Sequence, residues 1–342
     1  MTAQVAFLFP GQGSQAVGMG ADIFEVSGGA RHVFEAVDAA LGVSLSNLCF
    51  HGPEDVLRET INAQPAIVTV SLALLAALQE TLSPASSSLF SPLTPSCTSG
   101  HSVGEYAALV VSGALDLQDA ALLVRERGRL MQHEGTVCPG GMAAIIGMDE
   151  EKLEEVCRDA TAEMVANRPP HAHPGQGKVA VANFNAPGQI VISGEQDALN
   201  LAMELAKARG AKRVIPLAVS GAFHSPVMQP AAAGLARALA ATNVRDASIP
   251  IIGNIQATPL TQAQAIREEL AQQIASSVQW IRSIEYMVSV GVTVFLEIGP
   301  GQALTGMVKR IAKSATTLNV SNALDVANVA NSVREMNLLR DV

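Results

Sequence analysis

The chain has 342 residues, of which 49% are hydrophobic and 15% charged, and its formal net charge is −9. This apolar, sparsely charged composition excludes a disordered protein, and the length suits one large domain or a large domain that carries a smaller one. The 22 Lys and Arg residues are too few and too scattered to make nucleic acid a partner, because phosphate binding requires such residues in concentration.

The sequence indicates neither a membrane protein nor a secreted one. Its longest apolar run, Ala66 to Leu78, is interrupted by Thr69 and Ser71 and is shorter than the roughly 18 residues of a membrane span. The first thirty residues contain no Lys or Arg, which argues against a secretory or organelle leader. The four cysteines are too widely spaced for a disulfide framework or a metal pair. We therefore expect a cytoplasmic protein with reduced cysteines and no metal site.

The amino-terminal part has an α/β pattern. A short apolar run, Val5 to Phe9, ends at a Pro-Gly pair and predicts a buried strand that enters a glycine-rich turn. Helical spacing follows over Asp22 to Leu41 and over Pro65 to Leu82. The proline- and serine-rich stretch Ser83 to Ser99 predicts an exposed loop. Two further helices are predicted, over 104–111 and over Leu117 to Gln132.

From residue 140 the predicted elements follow the order β-α-β-β-α-β, which is typical of a ferredoxin-like unit. The predicted strands are Met142–Ile146, Val179–Phe184, Gln189–Ser193 and Val214–Val219, and the predicted helices are Asp149–Met164 and Glu195–Arg209. We therefore predict a small domain, 139–217, inserted into a large α/β domain of 1–138 and 218–342. The piece Arg168 to Gly177 is expected to be a solvated loop, since its two histidines lack the further ligands of a metal site.

A motif for a nucleophilic serine lies between these regions. Gly100-His101-Ser102-Val103-Gly104 matches G-x-S-x-G, in which small flanking residues allow the sharp strand-to-helix turn that exposes a serine hydroxyl. Ser102 is therefore the candidate nucleophile, although the preceding Pro95 to Ser99 is more polar than a central strand usually is. His101 lies on the same tight turn and points elsewhere, so we expect a positioning role for it at most.

Such a serine needs a base within hydrogen-bond reach, because its hydroxyl is a poor nucleophile at its ordinary pKa. Of the seven histidines we select His224, which follows the apolar run Val214 to Val219 at a predicted strand-to-helix junction. An unperturbed histidine titrates near neutrality, so we expect the acylation rate to depend on a group of that kind.

Arg127 lies on the apolar face of a predicted helix. Its neighbours at helical spacing are Ala120, Leu123, Val124, Leu130 and Met131. A guanidinium directed inward needs an anion or several acceptors, because burying it without a partner costs several kcal/mol. The anion is either an Asp or Glu of the protein or a ligand carboxylate, which the fork geometry of arginine fits.

The first glycine-rich turn raises an alternative. Gly11 to Ala16 matches G-x-G-x-x-A after a strand, a pattern typical of dinucleotide sites. The acidic residue that belongs about twenty positions further on is missing, because Ala30 to Leu41 is predicted to be helical. We therefore expect this turn to offer backbone N–H groups near Ser102 that suit an oxyanion.

Together these residues resemble the malonyl-CoA:acyl carrier protein transacylases of fatty acid and polyketide synthesis. The matching motifs are Phe9-Pro-Gly-Gln-Gly-Ser-Gln15, Gln64-Pro-Ala66, Gly100-His-Ser-Val-Gly-Glu105, Arg127-Gly128, Gly141-Met-Ala143, Asn183-Phe-Asn185, Ser220-Gly-Ala-Phe-His-Ser225, Val278-Gln-Trp280 and Gly299-Pro-Gly301. They cover nearly the whole chain. The resemblance implies an α/β-hydrolase-like large domain with an inserted ferredoxin-like small domain.

The resemblance also implies roles for single residues. Ser102 matches the acylated serine and His224 its base, while Arg127 matches the arginine that pairs with the malonyl carboxylate. The backbone N–H groups that form the oxyanion hole match those of Gln12 and Val103. The backbone carbonyl that orients the histidine matches a position near Gln273.

The implied reaction is a ping-pong transfer of malonyl from coenzyme A to the phosphopantetheine thiol of an acyl carrier protein, with no cofactor. The chain departs from the family in a longer Ser83 to Ser99 loop and an insertion at Arg168 to Gly177. Two alternatives stay open: an acyl hydrolase that clears stalled carriers on the same architecture, and a non-catalytic subunit that binds carriers.

Overall fold

The computed structural model describes residues 4–83, 92–166, 168–169 and 171–339. In the first part of the chain the elements are β1 (Gln4–Phe9), α1 (Ala21–Val26), α2 (Gly28–Leu41), α3 (Leu45–His51), α4 (Glu54–Arg58), α5 (Thr60–Leu82), β2 (Cys97–Gly100), α6 (Gly104–Val111) and α7 (Leu117–Val137). The middle part holds β3 (Gly140–Ile146), α8 (Glu150–Val165), β4 (Val179–Ala186), β5 (Gln189–Glu195), α9 (Gln196–Ala208) and β6 (Arg213–Pro216). The last part holds a short 3₁₀ helix (Pro226–Met228), α10 (Gln229–Ala241), β7 (Ile251–Ile252), β8 (Pro259–Leu260), α11 (Ala263–Gln273), α12 (Trp280–Ser289), β9 (Val292–Ile298), α13 (Ala303–Ile311), β10 (Thr316–Val320) and α14 (Ala323–Glu335).

A six-stranded sheet forms the centre of the larger part, in the order β10-β9-β1-β2-β7-β8. Its neighbouring strands run parallel except for the edge pair β7 and β8. Strands β1 and β2 lie side by side with Phe9 opposite Gly100, so the two glycine-rich turns that follow them meet at one edge. Ligands bind at the carboxyl edge of such sheets, which makes this edge the place to look for a site.

The strand before Ser102 is more buried than its composition predicts. We expected a loop over Ser83 to Ser99, but Cys97–Gly100 is a fully buried strand inside the sheet. Its polar side chains find backbone partners, as in the 2.8 Å hydrogen bond that the Ser99 hydroxyl donates to the Ile252 carbonyl. A buried hydroxyl with a partner costs little, which is why polarity misled the prediction here. Residues 84–91 of the expected loop lie outside the described residues.

Helix α5 is the core helix of the larger part and packs against α2 and α7. By length and composition it is apolar enough to cross a membrane, but 89% of its most apolar window is buried inside the fold. It is longer than the apolar run identified in the sequence because it begins at Thr60, ahead of Pro65. A helix that is apolar on all sides and enclosed by other helices is typical of a protein core.

The middle part forms a separate four-stranded sheet in the order β4-β5-β3-β6, antiparallel throughout. Helices α8 and α9 pack against it and against each other. The β-α-β-β-α-β order predicted from the sequence is thereby confirmed. The protein combines a parallel-rich sheet and an antiparallel sheet in one α/β fold, and the domain limits of 139–217 stay a prediction.

The described residues of the expected solvated loop, 168–169 and 171–177, form a loop that is exposed in part but packs on the larger part of the fold at two places. The Nε2 atom of His173 lies 2.6 Å from Glu134 Oε1 on α7, and the two side chains are only 15% and 6% exposed. A Cβ on Gly175 would lie 2.4 Å from the Cα of Val227, so backbone packs directly on backbone there. This piece therefore connects the antiparallel sheet to the larger part of the fold.

Candidate active site

Ser102 occupies a strained turn between β2 and α6. Its φ angle is 52°, in the left-handed region that residues with a side chain rarely adopt. The turn is also crowded: a Cβ on Gly100 would lie 1.9 Å from the carbonyl carbon of Gly104, and a Cβ on Gly104 would lie 2.2 Å from the Phe9 oxygen. The two glycines of G-x-S-x-G are therefore required by the close approach of strand, turn and helix.

Asn254 holds this turn in place, a role that its local sequence does not predict. Its Oδ1 accepts a 2.7 Å hydrogen bond from the Ser102 N–H, and its Nδ2 donates one of 2.7 Å to the Gly100 carbonyl. The residue is fully buried and comes two positions after β7, at the same edge of the sheet. A polar residue just after a buried strand was the signal available, but the sequence does not show which turn it meets.

Ser102 and His224 form the predicted pair. The Oγ atom of Ser102 lies 2.6 Å from the Nε2 atom of His224. The other ring nitrogen, Nδ1, faces the backbone carbonyls of Gln273 and Ser276 at 3.0 and 3.1 Å. Carbonyls only accept, so Nδ1 carries the proton and Nε2 accepts from the serine. The Gln273 carbonyl can make this contact because it lies at the end of α11, where a helix leaves its carbonyls without intrahelical partners. It also accepts a 3.2 Å hydrogen bond from the Ser276 N–H.

The surroundings keep the histidine neutral. Burial, followed by the charges of Arg127 and His101, lowers the pKa of His224 to about 3, although the two backbone carbonyls act in the opposite direction. The ring is therefore ready to accept a proton at physiological pH. Our expectation of a group that titrates near neutrality is wrong for the free protein, because the sequence does not show how completely this ring is enclosed.

Arg127 is fully buried beside the nucleophile. Its Nη1 donates to Gln64 Oε1 at 2.6 Å, and its Nη2 donates to Gln273 Oε1 at 2.9 Å and to Ser102 Oγ at 3.0 Å. All three acceptors are neutral, and within the described part of the chain no carboxylate lies within ion-pairing distance of Arg127. Of the two anions left open by the sequence, this geometry favours that of a ligand.

The turn after β1 lies against the turn that holds Ser102. A Cβ on Gly11 would lie 2.7 Å from the His101 oxygen. Among the hydrogen bonds of the described residues, the backbone N–H groups of Gln12 and Val103 have no acceptor, whereas the Ser102 N–H is engaged by a side chain. Two N–H groups beside the nucleophile suit an oxyanion, so the oxyanion hole stays a prediction that this geometry supports.

His101 joins the two sheets at the site. Its Nε2 lies 2.8 Å from Asn185 Oδ1 on β4, and its ring meets Trp280 edge-on with 5.4 Å between ring centres. Burial lowers the pKa of His101, while its contact with Asn185 acts in the opposite direction. These contacts agree with the positioning role expected for it.

A cavity of about 440 Å³ opens above Ser102 and His224. The parallel sheet and the loops after it form one wall, and Asn183 and Val191 of the antiparallel sheet form the other. Met307 of α13 adds an apolar side chain to the lining. The cavity is mostly apolar with a few polar groups near the serine, as is usual for small-molecule binding sites.

A serine on a strained strand-to-helix turn, hydrogen-bonded to a neutral histidine, is the arrangement of enzymes that transfer acyl groups through a covalent serine ester. The chain belongs to the acyl transferase domain family, whose sequence model matches residues 6–337. It is 42% identical, over 335 residues, to the malonyl CoA-acyl carrier protein transacylase of Bacillus subtilis (strain 168). That match covers 98% of this chain and 99% of the relative.

Solved structures give the same result. The acyl-carrier-protein-S-malonyltransferase of Bartonella henselae superposes with a TM-score of 0.87 at 40% identity, covering 98% of this chain and 99% of the other. A malonyl-transacylase solved in complex with its type II PKS acyl-carrier protein superposes with a TM-score of 0.86 at 35% identity, covering 96% and 100%. The family resemblance and the α/β fold class predicted from the sequence are confirmed.

Proposed function

We propose that this protein transfers a malonyl group from coenzyme A to the phosphopantetheine thiol of an acyl carrier protein, through an ester on Ser102. The observation that carries the proposal is the buried Arg127, which reaches the Ser102 hydroxyl at 3.0 Å and has only neutral partners. A cation in that position selects an acyl group that ends in a carboxylate. The named relatives above support the same substrate and carrier.

In the first half-reaction the Ser102 hydroxyl attacks the thioester carbonyl while His224 Nε2 takes its proton. The negative charge that develops on the carbonyl oxygen is met by the N–H groups of Gln12 and Val103. When the tetrahedral intermediate collapses, the carbon–sulfur bond breaks and His224 returns the proton to the coenzyme A thiolate. The malonyl ester remains on Ser102 with its free carboxylate on Arg127.

In the second half-reaction the phosphopantetheine thiol of the carrier enters the cavity that coenzyme A has left. His224 accepts the thiol proton, the thiolate attacks the ester, and the serine oxygen leaves and takes the proton back. Every proton is handled by His224, so the chemistry calls for no cofactor beyond the coenzyme A thioester as substrate. We infer a cytoplasmic enzyme, the compartment expected from the sequence.

The test separates the transferase from its two rivals. The protein is mixed with malonyl-CoA, freed of small molecules and examined by intact-mass spectrometry, before and after a carrier protein is added. We expect a malonyl ester on the wild type that moves to the phosphopantetheine-bearing carrier and stays on the enzyme when the carrier lacks that arm. Release of free malonate without transfer would identify a hydrolase, and no ester at all would identify a non-catalytic subunit.

A further inference from the structure

The side chain of Gln273 lies at the centre of the site and contacts three of its parts. Its Oε1 accepts from Arg127 Nη2 at 2.9 Å, and its Nε2 donates to the Ser102 carbonyl at 3.0 Å. The same Nε2 also donates to the Oε2 atom of Glu105. The family resemblance implies a role only for the backbone carbonyl at this position. The contacts of the Gln273 side chain therefore point to a second role for the same residue.

These partners fix which way the amide points. Arginine only donates, so the Gln273 oxygen must face Arg127, and the NH₂ group must then face two acceptors. The Ser102 carbonyl is one acceptor and Glu105 is the other. If either were lost, a buried amide N–H would be left without a partner, which makes this position of the amide less favourable.

Glu105 is placed to act only through this amide. It is 1% exposed and lies in the first turn of α6, directly after the glycine that closes the Ser102 turn. Burial and the charge of Glu269 raise the pKa of Glu105, whereas Gln273 and Arg127 lower it. Burying a carboxyl group here is unfavourable in itself, so its contact with Gln273 calls for a reason beyond packing.

We propose that Glu105 is a positioning residue that anchors the Gln273 amide and, through it, holds the Arg127 guanidinium in the orientation that receives the acyl carboxylate. The inference rests on the proposed malonyl transfer, since it concerns the choice between charged and neutral acyl groups. Acyl groups that end in a carboxylate use Arg127 and therefore depend on Glu105. An acetyl group does not use Arg127, so its transfer depends on Glu105 far less.

The test compares two substitutions at this position. Glu105→Leu removes the acceptor at similar volume, and Glu105→Gln supplies an amide oxygen in the same place. For Glu105→Leu we expect kcat/KM for malonyl-CoA to fall about tenfold or more, since small misplacements of a binding group have effects of this size. Its kcat/KM for acetyl-CoA should change much less, and Glu105→Gln should recover most of the malonyl activity.

Glu269→Gln is the matched control. Glu269 is the other buried acid of this cluster, but its Oε1 accepts from the Ile255 N–H at 2.7 Å and it has no bond to the Gln273 side chain. We expect this variant to keep the malonyl-to-acetyl ratio of the wild type. A ratio that changes equally in Glu269→Gln and Glu105→Leu would show a general effect of the buried acids and overturn the inference.

A second variant keeps the inference testable if Glu105→Leu does not fold. Gln273→Met removes the amide and leaves the backbone carbonyl that contacts His224, and it should lower the malonyl-to-acetyl ratio in the same direction. An unchanged ratio in both variants would refute the role of Glu105 while leaving the proposed function intact. A wild type that forms no malonyl ester would refute the proposed function itself.

Discussion

The Nη2 group of Arg127 donates a 3.0 Å hydrogen bond to the hydroxyl oxygen of Ser102. Because that oxygen already accepts from a cation, its own proton is directed to His224 Nε2, 2.6 Å away. A cation beside the oxygen also favours the alkoxide over the neutral hydroxyl. Arg127 therefore acts on the nucleophile of the free enzyme as well as on the acyl carboxylate.

The first prediction concerns the loss of this cation. In Arg127→Ala, kcat/KM for malonyl-CoA should fall by about two orders of magnitude, as happens when one partner of a buried charge pair is removed. Acetyl-CoA should be accepted relatively better, because it brings no carboxylate. The free energy of unfolding should change by less than the roughly 3–5 kcal/mol that a stranded buried ion-pair partner costs, since Arg127 has only neutral partners.

Kinetics with both donors and chemical denaturation measure these effects. Arg129→Ala is the control, since Arg129 lies on the exposed face of the same helix and pairs with Glu126. It should leave substrate preference and stability unchanged. An Arg127→Ala protein that is strongly destabilised and keeps the wild-type preference would mean that the arginine is structural.

The second prediction identifies the acylated residue. Ser102→Ala should abolish the malonyl ester seen by intact-mass spectrometry, and its melting temperature should stay close to that of the wild type. The turn keeps its shape because Asn254 holds it through the backbone at residues 100 and 102. Ser99→Ala removes a buried hydroxyl of β2, the strand that precedes the turn, and should still be labelled. Labelling of Ser102→Ala at another residue would move the nucleophile elsewhere.

Features that break a local pattern could be predicted from the sequence. G-x-S-x-G identifies Ser102 because the two glycines serve a tight turn, and Arg127 is conspicuous because a charged residue stands on an apolar helix face. The region of the antiparallel sheet was also predictable, because the spacing of its hydrophobic residues along the chain alternates between the period of a strand and the period of a helix. Local chemistry is enough for such features.

Features that depend on distant partners could not be predicted. Asn254 meets the Ser102 turn across 152 positions of sequence, and the Gln273 amide meets the Ser102 carbonyl across 171. Each is an ordinary polar residue near the end of an element, where most polar residues face solvent. The low pKa of His224 belongs to the same group, because it arises from burial that only the folded chain produces.

The third prediction follows from that pKa. Since His224 is neutral above a pKa of about 3, the acylation rate should be flat through neutrality and fall only on the acid side, well below pH 6.5. His224→Ala should lower the rate by about 10²- to 10⁴-fold and remove this acid limb. Stopped-flow acylation with acetyl-CoA as well as malonyl-CoA separates the limb from titration of the malonyl carboxylate itself.

The same pKa links His224 to stability. The folded state disfavours the protonated ring, so the unfolded chain binds more protons between pH 3 and pH 6.5. The stability that the neutral ring provides is therefore complete above pH 6.5 and is lost as the pH falls toward 3.

For the pH dependence of acylation, a wild-type rate that halves near pH 6.5 with both malonyl-CoA and acetyl-CoA would contradict the low pKa of His224.

The fourth prediction concerns where the carrier protein docks. Two basic pairs, Lys212-Arg213 and Lys309-Arg310, are exposed and lie near the turn between β4 and β5. Arg310 Nη2 donates to the Pro187 carbonyl at 2.7 Å, and the Lys212 side chain lies against Gly147, whose N–H bonds to Gly188 at 2.9 Å. We expect the two pairs to act together as one basic docking surface on an acidic chain, which suits an acidic carrier protein.

Reversing these charges should weaken the second half-reaction alone. Lys212→Glu combined with Lys309→Glu should raise KM for the carrier severalfold at low salt, and less at high salt because surface charges are screened. The rate at which malonyl-CoA acylates the enzyme should stay unchanged, since neither lysine lines the cavity above Ser102. Arg237→Glu, an exposed charge on α10 in the other part of the fold, is the control and should affect neither step. Equal losses in both half-reactions would rule out a carrier-docking role for this surface.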